Sequence, residues 1–370
     1  MSITIEEITD RARWNDFLTS QPRGHLLQSY EWGELNKYLG GRIYRLGALE
    51  DGRVTGALML TVSPVPLPLA LPGLRFNWLY SSRGPTVEQP NSPALPALLR
   101  HASALARREC AVVLRCEPNI ADDDPREDDW LAAYHALGFQ TNPIAVHGRR
   151  SWVLDIRPGA EELLVNFKMT WRQNVRAAER KGVIVREATS DADFDAYYNL
   201  LQITSERDDF FIHGKDYHRE ILRQFKDKSD AVLYLAEHEG EAIAAKMLIR
   251  FGDWCWDMFG ASSNQKRNLK PTYLLQLRCI QWARAKGCSY FDFRTIPEIL
   301  EPGEEMWGVY EYKKGFGGFS RLNMPTQDYI YRPLVYNLWR KAVETRRARR
   351  HAERKQVELE RAARGKNEHR

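Results

Sequence analysis

The sequence predicts an α+β protein of two similar units in tandem, each a mixed β-sheet flanked by helices, with a basic helical tail at the C-terminal end. Three observations predict it. One order of elements, β-β-β-α-β, is written twice. A Gly-containing hairpin turn falls at the same place in each copy, Asp51-Gly52 and Glu239-Gly240, 188 residues apart. The length of 370 residues suits two domains better than one.

In the first copy, Tyr44 to Glu50 reads as a strand, Asp51-Gly52 as a tight turn and Val54 to Thr61 as the partner strand. Gly accepts the positive φ such a turn requires. A Pro-rich stretch follows. Strand Phe76 to Tyr80 then runs into Arg83-Gly84, helix Pro93 to Arg108 comes next, and strand Ala111 to Arg115 closes the copy. In the second copy the strands are Val232 to Glu237, Ala242 to Phe251 and Trp254 to Phe259. Helix Pro271 to Lys286 is stopped by Gly287, and strand Ser289 to Phe293 closes it.

Between the copies, Leu164, Phe167, Trp171, Val175 and Ala178 recur at three and four, which predicts one helix over Glu161 to Lys181 ended by Gly182. Lys168, Arg172, Arg176 and Arg180 lie four apart on another face. Like charges at that spacing oppose a helix by about 0.2–0.5 kcal/mol per pair. The row therefore reads either as a contact for an anionic partner, with phosphate or nucleic acid in view, or as a solvated face partly neutralised by Glu179.

The net charge of +5 is uneven. From Arg332 to Arg370, 13 Lys and Arg face 5 Asp and Glu, and the preceding body is net −3. The tail's large apolar residues, Leu334, Leu338, Trp339 and Val343, stop early, which predicts a docked first turn and then a basic helix without heptads. Five Cys without a CxxC pair predict reduced thiols and no metal site. The N-terminus has no secretory pattern, so the expected location is cytoplasmic. Four prolines exclude a membrane span in the apolar Leu58 to Leu74 stretch, which reads as an extended loop. HExxH, GxSxG and P-loop patterns are absent. His213 and His218, five apart, are expected to be structural.

The doubled β-β-β-α-β order resembles the N-acetyltransferase fold in duplicate, which raises acyl transfer from coenzyme A. That chemistry presents a Gly-rich loop whose N–H groups hold a pyrophosphate at a helix N-terminus. Here Asn264 to Pro271 and Val87 to Ser92 contain no Gly. A different acyl donor is needed, and no cofactor is expected. The most distinctive motif is Gly308 to Gly318, GVYEYKKGFGG. It puts the Lys313 cation on a Gly-rich, tightly turned segment, where it could stabilise an oxyanion or hold an anionic group. It could equally be a surface lysine.

Several segments together resemble the Fem family of peptidoglycan-bridge aminoacyltransferases, along nearly the whole chain to about residue 335. They are Leu27–Leu35, Ser81–Pro85, Trp171–Val183, Phe259–Ser263, Pro271–Gln276, Tyr290–Phe293 and the Lys313 motif. The resemblance implies two N-acetyltransferase-like domains, 1–147 completed by 319–345 and 148–318, with 346–370 as the basic tail. It implies aminoacyl-tRNA as donor and, as acceptor, a stem-peptide amine of a UDP-linked or lipid-linked muropeptide (lipid II). Lys313 falls on the family's catalytic lysine, which stabilises charge. Lys37 and Arg207 fall on residues gripping the acceptor diphosphate. Arg83, Phe211 and Trp256 join the substrate-binding set. Lys168, Arg172, Arg176 and Arg180 become candidate tRNA contacts, and the tail a candidate contact with tRNA or the inner membrane face. The sequence departs from the family at Arg294-Thr295, where Gly-Gly is usual, and at Phe211 and Trp256 or Phe259, where hydroxyls are lost. Asp292 could attract the incoming ammonium or merely cap its own turn. Two other readings stay open: an acyl-coenzyme A-dependent N-acyltransferase, and a non-catalytic RNA- or membrane-binding module.

Overall fold

A computed structural model describes residues 3–66, 75–226, 229–346 and 349. The first strands are β1 (Ile3–Glu7), β2 (Arg42–Glu50), β3 (Arg53–Pro64), β4 (Asn77–Arg83), β5 (Thr86–Val87), β6 (Ala111–Pro118) and β7 (Gln140–Asn142). Then come β8 (Arg150–Asp155), β9 (Ile184–Glu187), β10 (Ala231–His238), β11 (Glu241–Phe251), β12 (Trp254–Ser262), β13 (Tyr290–Thr295) and β14 (Phe319–Leu322), which form a second sheet in the order β14-β8-β13-β12-β11-β10-β9. The chain then returns. β15 (Thr326–Ile330) inserts into the first sheet, which reads β1-β2-β3-β4-β6-β15-β7 with β5 beside β3. The helices are α1 (Arg11–Ser20), α2 (Tyr30–Tyr38), α3 (Ala94–Arg108), α4 (Glu127–Ala136), α5 (Ala160–Asn166), α6 (Met169–Arg180), α7 (Asp191–Asp208), α8 (Lys215–Lys226), α9 (Pro271–Ala285) and α10 (Trp307–Lys314).

Both hairpin turns have the expected geometry, with φ of 48° and 80° at Asp51-Gly52 and 55° and 78° at Glu239-Gly240. Two positive φ values in a row twist the connection to match the right-handed twist of the strands. In each sheet the third strand of the meander pairs in parallel with the strand after the helix, β4 with β6 and β12 with β13. A parallel pair needs a crossover, and α3 and α9 supply it. α3 buries Leu95, Leu98, Leu99, Ala102 and Leu105, and α9 buries Leu274, Leu275, Cys279, Ile280 and Ala283. These stripes cover one face of each sheet.

Three features differ from the sequence reading. The single helix over 161–181 is two helices, α5 and α6, because Phe167 and Lys168 take extended backbone, with ψ of 142° and 136°. Phe167 turns into the core against Phe316, and the Lys168 N–H leaves the helical ladder to donate to Gly315 O at 2.8 Å. The return to the first sheet, read as starting at 319, starts later, since Phe319–Leu322 pairs with β8. In the C-terminal helical run over 333–346, Tyr336 and Trp339 are buried but Leu334 and Leu338 stand exposed. The stripe that docks is 335/336, 339 and 343, and 334 and 338 lie off it. The Pro-rich stretch is strand as far as Pro64, and 67–74 lies outside the described residues, as does nearly all of the tail from 347. Among the described residues, no helix is long and apolar enough to cross a membrane.

A buried ion pair fixes the return. Arg115 of β6 donates two hydrogen bonds of 2.8 Å to Asp328 of β15, and Asn142 and Tyr336 donate to the same carboxylate at 2.7 Å each.

Candidate active site

Lys313 is not on the turn but in the last turn of α10, and the tight segment follows it. Two glycines there, Gly315 and Gly318, permit a close approach. A Cβ at Gly315 would lie 2.3 Å from the Trp171 ring, and one at Gly318 would lie 2.3 Å from the Val153 carbonyl. Gly318 also has φ 98°. The Trp171 Nε1–H donates to Tyr312 O at 2.9 Å, and Trp152 Nε1–H to Gly317 O at 2.7 Å. Phe316, fully buried, packs on Phe167, Phe293 and Tyr312. The motif thus clamps α10 onto α6 and β8 and aims Lys313 inward. Gly318→Ala is expected to lower stability by more than about 1 kcal/mol, read from the denaturant midpoint, because the backbone there excludes a side chain.

The Lys313 Nζ donates to the carbonyl of Thr295 at 2.7 Å. Burial pushes its pKa down to about 7, Lys246 and Arg294 push the same way, and Asp257 and Asp292 pull it back. Lys246 and Asp257 form a buried ion pair across β11 and β12. The lysine is therefore a cation poised near neutrality rather than a fixed charge.

Thr295 lies on the wall of an open cleft with walls from both sheets. His25, Arg83 and His147 come from the first unit and Trp256, Asp292 and Arg294 from the second. Burial, with Arg83 and Arg294 adding to it, holds the His25 imidazole well below its usual range and His147 at about 3, so both are neutral. His25 Nδ1 accepts the Leu27 N–H at 3.0 Å. Burial raises the Asp292 carboxyl, and Arg294, Lys313 and Arg83 counter it. Asp292 does cap its turn, accepting the Arg294 N–H at 2.6 Å, and it lines the cleft as well.

The structure brings together Arg83, Trp256 and Asp292 on the cleft wall and sets Lys313 directly behind it. Trp256 is buried, tilted against the His25 ring at 4.9 Å. Lys37, Arg207 and Phe211 are not on that wall. Lys37 is half-exposed on α2 and paired with Glu34 at 2.9 Å. Arg207, at the end of α7, donates to Asp208, Ser262 O and Asn264 at 2.8–3.0 Å. Phe211 is 83% exposed just beyond α7. Leu35 of α2 and Leu200 and Leu201 of α7 share one apolar cluster, so α2 and α7, the helices that carry or adjoin these residues, pack on one flank of the second sheet. Of the basic row, Lys168 precedes α6 and its Nζ sits 5.0 Å from the Trp171 ring centroid, Arg172 donates to Val165 O at 3.0 Å, and Arg176 and Arg180 are exposed. His218 is buried, its Nδ1 2.9 Å from the Tyr197 hydroxyl, while His213 stacks on Tyr217.

The sequence reading missed His25, His147 and the Lys246–Asp257 pair. A lysine in the middle of the apolar run of β11 was the signal for the last, since a charge in a buried strand needs a partner. Nothing local marks the two histidines, which meet only through the fold.

The family model described as the FemAB family matches residues 9–241 and 235–343. Lipid II:glycine glycyltransferase of Staphylococcus aureus is 25% identical over 395 aligned positions, covering 87% of this chain and 92% of that protein. The same enzyme from strain MRSA252 is 24% identical with the same coverage. Among solved structures, FemX superposes with a TM-score of 0.81 at 23% identity, covering 91% of this chain and 99% of FemX. A tandem GNAT protein from the clavulanic acid biosynthesis pathway shares the fold with a TM-score of 0.53 at 13% identity, over 89% and 98% of the two chains. With a family match across nearly all of 9–343 and transferases as its relatives, the chain belongs to the FemAB family and is an aminoacyltransferase.

Proposed function

We propose that this enzyme moves an amino acid from aminoacyl-tRNA to a stem-peptide amine of a peptidoglycan precursor, UDP-linked or lipid-linked, on the cytoplasmic side. The observation that carries the reading is Lys313, a partly buried cation poised near neutrality and docked on the cleft-wall carbonyl of Thr295. The S. aureus relatives, named for lipid II and glycine, support the acceptor class. In the reaction the acceptor amine attacks the ester carbonyl and a C–N bond forms. The tetrahedral oxyanion collapses, the C–O bond to the tRNA ribose breaks, and the proton lost by the amine ends on the departing 3′-oxygen. The Lys313 ammonium stabilises the charge on the oxyanion or on that oxygen. An ester is already activated, so positioning in the cleft supplies much of the rest. Lys37 and Arg207 hold the acceptor diphosphate, Arg207 through its fork of donors, and Phe211 offers a face beside them. Arg172, Arg176 and Arg180 meet tRNA phosphates. We read the chain as domain 1 over 1–147, an inserted domain 2, and a closing segment that completes domain 1. Exposed Leu334 and Leu338, next to a basic tail, support peripheral contact with an anionic membrane face.

The geometry before α9 supports a donor other than coenzyme A. The N–H groups of Leu269, Lys270 and Tyr273 all donate within the turn, and Pro271 has none. A row of donors for a pyrophosphate is thereby interrupted at the start of α9. The test is calorimetry of the purified chain with charged tRNA, uncharged tRNA and coenzyme A. Micromolar binding of tRNA that weakens steeply with salt is expected. Saturable coenzyme A binding with none by tRNA would replace this reading with acyl-coenzyme A chemistry.

A further inference from the structure

Two arginines of the cleft stand in unusual backbone. Arg83 has φ 57° and Arg294 φ 69°, a region that side chains enter only when the surroundings hold them there. At Arg294 the ladder between β13 and β8 breaks between Asp292 and Thr295, and the freed Arg294 N–H turns back onto Asp292. Neither guanidinium is neutralised by direct contact. Among the described residues, the Arg294 side chain reaches only Met258 Sδ, at 3.7 Å, and that of Arg83 only the Gly148 carbonyl, at 2.8 Å. Arg321, on the same wall, differs: it is paired with Asp123 at 3.2 Å. Arg83 is buried and Arg294 partly buried, and a guanidinium so placed with no carboxylate in direct contact is stabilised when an anion comes to it. Asp292, two residues before Arg294, lines the same cleft and offers the opposite charge.

Building on the proposed acyl transfer, we infer that Asp292 and Arg294 together recognise an ammonium and a carboxylate carried on one carbon of the acceptor. The enzyme then favours a stem peptide whose third residue is a diamino-diacid over one bearing lysine. Asp292 takes the amine that will attack, and Arg294 takes the neighbouring carboxylate, with Arg83 adding field from the opposite wall. The donor's own amino acid cannot satisfy this pair, because its carboxyl is esterified. Lysine offers the amine without the carboxylate and leaves Arg294 unpaired.

The experiment uses the full chain with two UDP-linked pentapeptides that differ only in the third residue, meso-diaminopimelate or L-lysine. Calorimetry gives Kd, and transfer from charged tRNA gives kcat/KM. The wild type is expected to prefer diaminopimelate on the order of tenfold to a hundredfold. Arg294→Gln should collapse that preference by weakening diaminopimelate alone. Unchanged binding of the lysine peptide shows that the variant is folded, and Arg83→Gln should weaken the preference less. Equal use of both peptides by the wild type, or a preference that survives Arg294→Gln, would overturn the inference and leave the transfer reading intact. Neither peptide binding nor accepting would instead remove the muropeptide acceptor itself, and the inference with it.

Discussion

Replacing Lys313 with methionine is expected to slow single-turnover transfer about 10²–10³-fold, while the acceptor Kd moves by less than about twofold. The lysine makes its interaction where charge develops, so its loss should fall on the chemical step. The pH dependence follows from the same group. With its pKa pushed down to about 7, Lys313 is a cation below that pH and loses its charge as pH rises through it. The groups that face it are Asp257 and Lys246 from β12 and β11, and Asp292 and Arg294 from β13. The acceptor amine becomes more nucleophilic as pH rises, so kcat/KM should rise and then fall, with the falling limb near 7. Lys313→Arg keeps a cation at every accessible pH and should lose that falling limb even if its maximum is lower. A methionine variant with wild-type single-turnover rates would assign the lysine a structural role only.

Arg115→Ala should be among the most destabilising single changes, at about 3–5 kcal/mol. It strands Asp328, 1% exposed, with only the Asn142 and Tyr336 donors. That carboxylate ties β15 between β6 and β7, and the segment just before β15 carries Arg321 and Asn323 to the cleft wall. Chemical denaturation gives the loss. The double change Arg115→Leu with Asp328→Leu should recover much of it, because removing both charges removes the uncompensated one. A single variant within about 0.5 kcal/mol of wild type would show that the pair contributes little.

The repeat was legible because its signals are local. The Asp51-Gly52 and Glu239-Gly240 turns, the Gly287 stop and the apolar stripes of α3 and α9 each act within a few residues. The break between α5 and α6 was not legible, since Phe167 obeys helical spacing and leaves the helix only because Phe316 and the Gly315 carbonyl, some 150 residues on, offer better partners. The short strand β14 was not legible for the same reason, and its residues were taken with the segment that completes the first unit: its partner β8 is distant in sequence. At the site, Lys313 was visible from its motif, but its helix and its neighbours Asp257 and Lys246 were not. Arg294 stood out as a departure from the family, and only its φ and the absence of a carboxylate in direct contact with its guanidinium among the described residues give it a role.

The most direct measurement is a single-turnover reaction of the purified enzyme with charged tRNA and a UDP-linked pentapeptide, read by the mass of the peptide product. The peptide should gain one aminoacyl residue at an amine when the tRNA is charged, and nothing when acyl-coenzyme A replaces it. A peptide that stays unmodified with every aminoacyl-tRNA supplied, or is acylated from coenzyme A, would contradict the assignment.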